Sequence, residues 1–123
     1  MTNERKKLIN KCDALAREVV YKRDNHTCQK CGSKINRLNP AHFVGRKNMN
    51  MRFDTRNVIT LCVACHFYMD GNPYDFTKWY KKWIGQEMFE KLMIKKFNKL
   101  KTSVANLTLV RLYLEQELKK VEE

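Results

Sequence analysis

Two cysteine pairs frame the middle of the chain, Cys28-Gln29-Lys30-Cys31 and Cys62-Val63-Ala64-Cys65. A two-residue spacer lets both sulfurs of a pair reach one ion, and four thiolates complete a tetrahedral Zn2+ shell. Such a shell leaves no position open for water, so the zinc expected on Cys28, Cys31, Cys62 and Cys65 is structural. Gly32 suits the positive-φ turn of a zinc knuckle. Other chemistry-bearing side chains stand within this stretch: His42, Asn57, and His66 directly after the last cysteine. A neutral imidazole accepts a proton near neutral pH and also ligates metal.

These groups need elements to hold them. Leu8, Cys12, Leu15 and Val19, flanked by Ile9, Ala16 and Val20, recur at helical spacing and predict a helix over 3–23. Its lysines and arginines lie mostly off the apolar face. Leu38 to Val44 reads as a strand carrying His42, and Asn48 to Asp54 as a loop. Val58 to Leu61 is β-branched and reads as a second strand. A short helix over 63–69 then stops at Gly71 in the left-handed region. Asn72-Pro73 is an N-cap and first-turn pair. Phe76, Trp79, Tyr80 and Trp83 follow as an apolar stripe suited to core packing, and Gly85 breaks that helix. Met88, Phe89, Leu92, Met93, Phe97 and Leu100 form the next amphipathic face, with Lys91, Lys95, Lys96 and Lys99 largely outside it. Thr102-Ser103 caps a last helix whose Val104, Leu107, Leu114, Leu118 and Val121 fall on heptad positions, interrupted at Arg111. Packing back on its own domain and pairing in a dimer both satisfy that stripe.

At 123 residues the chain is one small domain, to which a structural metal adds appreciable stability. Twenty-five Lys and Arg against 13 Asp and Glu leave a net charge of +12, which points to a polyanion and foremost to nucleic acid. No apolar run is long enough for a membrane span. Met1 to Lys7 lacks the hydrophobic core of a signal peptide, so the expected compartment is the reducing cytoplasm. There, paired Cys-x-x-Cys motifs read as metal ligands rather than disulfides. Cys12 lies outside the pattern.

A zinc-held strand pair and helix presenting His42, Asn57 and His66 in order resembles the HNH, or ββα-metal, nuclease motif. The resemblance implies His42 as general base, Asn57 as the residue orienting the loop and strand, and His66 as ligand of a catalytic Mg2+ or Mn2+. Where many HNH nucleases carry an acidic ligand just before the first histidine, this chain has Ala41, which leaves the site to be completed by His66 with a phosphate oxygen and waters, or by a carboxylate such as Asp54 or Asp70. Arg46, Lys47, Arg52 and Arg56 would grip phosphates. No base-reading helix is evident, so weak sequence preference and steep salt dependence are expected. More specifically, His42-Phe43-Val44-Gly45-Arg46, Arg52 to Val58, Cys62 to His66 and Gly71-Asn72-Pro73 resemble the NinG/Rap family of phage recombination endonucleases, over roughly 24–100. Phage endonuclease VII is similar in plan. The family resemblance implies branched DNA, such as Holliday junctions and D-loops, as substrate, and the cytoplasm of a bacterial host as the place of action.

The expectation is therefore an α+β fold with a zinc-bound ββα-metal (HNH, His-Me finger) core and flanking amphipathic helices. Residues 1–101 form the nuclease domain, with a helix at 3–23, the zinc core at 24–71 and helices over 73–101. Residues 102–123 form a packing or dimerisation helix. Symmetric cutting of a junction favours a homodimer, its interface on the apolar stripes of the first and last helices. Two other readings stay open: a general nicking nuclease serving packaging or restriction, and a non-catalytic zinc-ribbon DNA-binding accessory.

Overall fold

The computed structural model describes residues 2–98 and 101–122. Lys99 and Leu100, expected at the end of an amphipathic helix, lie outside the described residues. The first helix, α1, runs Asn3–Arg23 as anticipated, and Thr2 Oγ1 caps it by accepting from the Arg5 N–H at 3.2 Å. The strand β1 (Leu38–His42) pairs antiparallel with β2 (Val58–Cys62), with Leu38 opposite Cys62 and His42 opposite Val58. β1 stops two residues short of the expected Val44. A helix α2 (Met49–Arg52) and a 3-10 turn at Thr55–Asn57 lie between the strands. The helices α3 (Val63–Asp70), α4 (Pro73–Ile84), α5 (Gln86–Phe97) and α6 (Val104–Glu122) complete a mainly helical mixed fold with one small sheet.

The hairpin divides two cores. Its Ala41, Ile59 and Leu61 face Met69, Phe76, Tyr80 and Leu92 of α3, α4 and α5. Pro40, His42 and Val58 face α1, where the Thr60 hydroxyl also donates to the Val20 carbonyl at 3.4 Å. Of the aromatic stripe of α4, Phe76 and Tyr80 are core, as the spacing predicted, and Trp79 and Trp83 pack half-buried against it. Phe43 stacks on Tyr80 with centroids 4.2 Å apart and meets Phe76 edge-on. Arg23 is not a freely solvated cation. It forks onto buried Asp24 at 2.8 and 2.9 Å and donates to the Thr55 and Val58 carbonyls. Asp24 in turn accepts from the Thr60 N–H at 3.0 Å, so the end of α1 is bolted to β2.

The stripe of α6 packs back on the domain. Leu107 and Leu114 are buried against Ile9, Cys12, Leu15 and Ala16 of α1, with Phe53 beside them. Arg5 bonds Thr102 at one end of the pair and Lys22 bonds Glu122 at the other, so the two helices run parallel. The apolar stripes expected at a dimer interface therefore cover each other. Cys12 belongs to this core, its thiol 3.6 Å from the Leu107 carbonyl, and burial pushes it up to about 11. It is a packing residue with little thiolate to react.

Other expectations need correction. The 48–54 segment is not an open loop, because Met51 and Phe53 are buried and α2 forms to bury them. Gly71 sits at φ −82, an ordinary right-handed value, because α4 starts almost at once and the chain need not reverse there. Asn72 caps nothing with its side chain, whose Nδ2 donates to the Tyr68 carbonyl at 2.7 Å. Phe97 is 75% exposed rather than core. Gly85, at φ +92, does separate α4 from α5 as anticipated. Among the described residues, no helix is long and apolar enough to cross a membrane.

Candidate metal centre and active site

The Sγ atoms of Cys28, Cys31, Cys62 and Cys65 all lie within 4.8 Å of one another, and Cys31 and Cys62 are 3.8 Å apart. Four sulfurs at about 2.3 Å from a tetrahedral zinc would be about 3.8 Å apart, so the donor set fits the ion. The knuckle closes through the Gly32 N–H on the Cys28 carbonyl at 2.8 Å, with Gly32 at φ +78. Cys62 ends β2 and is also the N-cap of α3, its sulfur accepting from the Cys65 N–H at 3.4 Å. The paired cysteines thus tie the first knuckle to the strand–helix junction, and none of the five cysteines is in a disulfide.

His42 ends β1 in a small cleft of about 130 Å³, lined by Asp13 and Arg17 of α1 and by Arg46 and Arg52. Its Nε2 lies 3.0 Å from the Arg52 carbonyl oxygen. A carbonyl only accepts, so Nε2 carries the hydrogen and Nδ1 of the neutral ring is left as the basic nitrogen. Burial lowers the imidazole below its ordinary 6.5, against the raising effect of the Arg52 carbonyl and with help from the Arg46 charge. The ring is neutral at pH 7, the state a general base requires.

Asn57 is fully buried in the turn before β2. Its Oδ1 accepts from the Val44 N–H at 2.7 Å, and its Nδ2 donates to the Val44 and Met51 carbonyls, each at 3.0 Å. The side chain therefore holds the segment that follows His42 and the end of α2. It contacts neither histidine; its role is positioning.

His66 lies on α3, with Nε2 3.2 Å from Asp70 Oδ2 and Nδ1 3.1 Å from Asn39 Nδ2. The amide donates, so Nδ1 accepts and the hydrogen of the neutral ring sits on Nε2, facing the Asp70 carboxylate. Side chains alternate along a strand, so Asn39 and His42 project from opposite faces of β1, about 10 Å apart along it. The expected base and the expected metal ligand are therefore not on one face. They flank β1, whose second edge pairs with no strand among the described residues. Asn39 was missed in the sequence, since an uncharged amide in a strand carries no signal of its own.

The four expected phosphate-binding cations do not form one track. Arg52 is only 18% exposed and forks onto Asp13 at 3.0 and 2.6 Å, so it is structural. Arg46 reaches the same carboxylate at 3.0 Å but is 59% exposed. Lys47 is exposed in a separate cleft toward α4. Arg56 pairs with Asp54 at 2.7 Å on the far side of the 3-10 turn. Asp54, the other expected metal-ligand candidate, is engaged by protein cations. Its carboxylate is 4% exposed, is held by Arg56 and Lys95 at 2.7 Å each, and caps the 3-10 turn. Asp13, the hub of the His42 cleft, was overlooked because its arginines follow it by more than 30 residues.

Compared with known families, the chain matches, over residues 2–123, the family described as the bacteriophage lambda NinG protein. The chain belongs to the NinG family. The match takes in α1 and α6 as well as the zinc module, so in this NinG-family chain the packed helix pair lies within the family unit. A search of curated proteins and one of solved structures returned no match.

Proposed function

We propose that this NinG-family chain is a metal-dependent DNA endonuclease of the HNH type, acting on branched recombination intermediates. The observation that carries the reading is the His42 cleft: a half-buried neutral imidazole with its tautomer set by the Arg52 carbonyl and Arg17 and Arg46 at its mouth. The strand–strand–helix order from β1 to α3 around the four cysteines supports it, as does the net charge of +12.

In this reading a phosphodiester crosses the open edge of β1. His42 Nδ1 takes a proton from water, the hydroxide oxygen bonds to phosphorus, and the bond from phosphorus to the 3′ oxygen breaks. The leaving oxygen takes its proton from solvent. Arg46 and Arg17 hold the phosphate backbone. The exposed Asp70 carboxylate offers oxygen donors of the kind Mg2+ and Mn2+ accept, and His66 would add Nε2 in its other tautomer, with the Asn39 amide turned so that its oxygen accepts from Nδ1. A divalent cation bound there, across β1 from His42, would neutralise charge on the DNA backbone beside the reacting phosphate.

One observation favours a second reading, a non-catalytic DNA-binding accessory. Ala41 is fully buried in the apolar core, so no carboxylate can be supplied from the position before His42. The deciding experiment is cleavage of a labelled four-way junction beside a linear duplex of the same sequence, with Mg2+, Mn2+ or EDTA. Metal-dependent cutting of the junction, lost in His42→Ala, is expected. Equal cutting of both substrates would leave a general nicking nuclease, and salt-sensitive binding without cutting would leave the accessory.

A further inference from the structure

A cleft of about 570 Å³ opens between the first zinc knuckle, α3 and α4, away from His42. Its wall is apolar, built from Ala64, Met69 and the ring of Trp79, and its rim carries Lys30, Lys78 and Lys82. None of the three lysines is in an ion pair with a described residue. Lys78 and Lys82 are one helical turn apart on α4, with Trp79 beside Lys78. The single carboxylate, Asp75, already accepts from the Tyr68 hydroxyl at 2.5 Å.

Trp79 is held from behind. It stacks on Trp83 with centroids 6.0 Å apart and planes at 19°. Trp83 in turn carries the Arg23 guanidinium at 5.1 Å and donates to Gln29 Oε1 at 3.3 Å. The Trp79 ring is thus a fixed platform at the end of a stacked series, and Trp83 does not line the cleft.

We propose that this cleft binds an unpaired nucleotide of a DNA strand, its base on Trp79 and its phosphates on Lys30, Lys78 and Lys82. An apolar ligand alone would leave three unpaired cations at the rim, and an acidic peptide would leave the aromatic wall unused. A nucleotide satisfies both, and the volume suits a ligand of that size. A base inside a duplex has both faces covered by its neighbours, so the occupant is one that has left the stack. Strand exchange at a branch point exposes such nucleotides. The proposal rests on the reading of this chain as a DNA-processing protein and names what its second site recognises.

The test uses the full zinc-loaded chain without added Mg2+ or Mn2+, titrated with oligothymidylate and with a duplex of equal length. Oligothymidylate is expected to quench tryptophan fluorescence in a salt-sensitive way. Trp79→Leu is expected to weaken single-strand affinity by about 5- to 150-fold, the worth of one base–aromatic stack, relative to duplex affinity. Lys78→Glu combined with Lys82→Glu is expected to weaken it by at least tenfold. Both lysines are exposed, so this variant keeps its zinc and fold if Trp79→Leu does not. Unchanged single-strand affinity in the folded double variant, or equal competition by polyglutamate, would overturn the proposal. Trp79-dependent binding without junction cleavage in any metal would overturn the nuclease reading alone. Cleavage that depends on His42, with Trp79-indifferent binding, would overturn this proposal alone.

Discussion

The side-chain amide of Asn57 closes a two-bond ring on the backbone of Val44, accepting from its N–H at 2.7 Å and donating to its carbonyl at 3.0 Å. Val44 lies two residues past His42, so this ring sets the course of the chain as it leaves the candidate base. Asn57→Ala would strand two buried backbone groups, the Val44 N–H and the Val44 carbonyl, while the Met51 carbonyl keeps the Asp54 N–H. The expected loss is about 3 kcal/mol, from the cost of unsatisfied buried groups. Urea unfolding measures it. Asn57→Asp is expected to be no better, because it sets a carboxylate against two carbonyl oxygens.

Loss of His42 should separate chemistry from folding. His42→Ala is expected to cut the cleavage rate by about 10²- to 10⁴-fold with DNA affinity retained. The wild-type kcat/KM should hold level through pH 7 and fall on the acid side with an apparent pKa below 6.5, because burial lowers the folded imidazole. The same shift acts on stability. As pH falls below 6.5 the unfolded chain takes the proton first, so stability drops across the window between 6.5 and the folded value. His42→Gln should lose that acid-side dependence, and a profile identical to wild type would refute the assignment.

Zinc removal should unfold the module rather than merely silence it. The four sulfurs join the 28–31 knuckle to the junction of β2 and α3, and the other ties of that knuckle run mainly through Gln29, whose N–H donates to the Thr60 carbonyl and whose Oε1 accepts from Trp83. Metal analysis should find one zinc per chain. Cys28→Ser or Cys62→Ser should lose it together with most of the thermal transition. Chelation should be reversed by added Zn2+ and not by Mg2+, since thiolates select the softer ion.

Asp54 offers a contrast with the expected metal role. Burial alone would raise its carboxyl, but hydrogen bonds from Arg56 and Lys95 outweigh that and hold it below 3.8. Its stabilisation is full above pH 3.8 and is lost as pH falls through the folded value. Asp54→Asn is expected to cost about 2 kcal/mol at neutral pH, through the lost charged hydrogen bonds and cap. The two proteins should converge in acid. The Mg2+ and Mn2+ dependence of cleavage should be unchanged, and a shifted metal requirement would return Asp54 to the site.

What the sequence by itself determined is what short spacing governs. The two Cys-x-x-Cys pairs bind locally, so their joint site could be read before any fold was known, and the period of α1 marked its buried face and both its ends. The aromatic stripe of α4 was legible for the same reason, as was the stop at Gly85. Strand parity already placed residues 39 and 42 on opposite faces of β1. Which face met His66 depended on how α3 folds back from β2, and only the tertiary structure decided it. The same holds for Asp13 with Arg46 and Arg52, for Asp54 with Lys95, and for α6 lying parallel to α1. Each joins residues more than 30 positions apart, and no pattern along the chain encodes which distant partner fills a face. Local periodicity says that a face must be buried or a charge paired; the packing of the whole chain chooses with what.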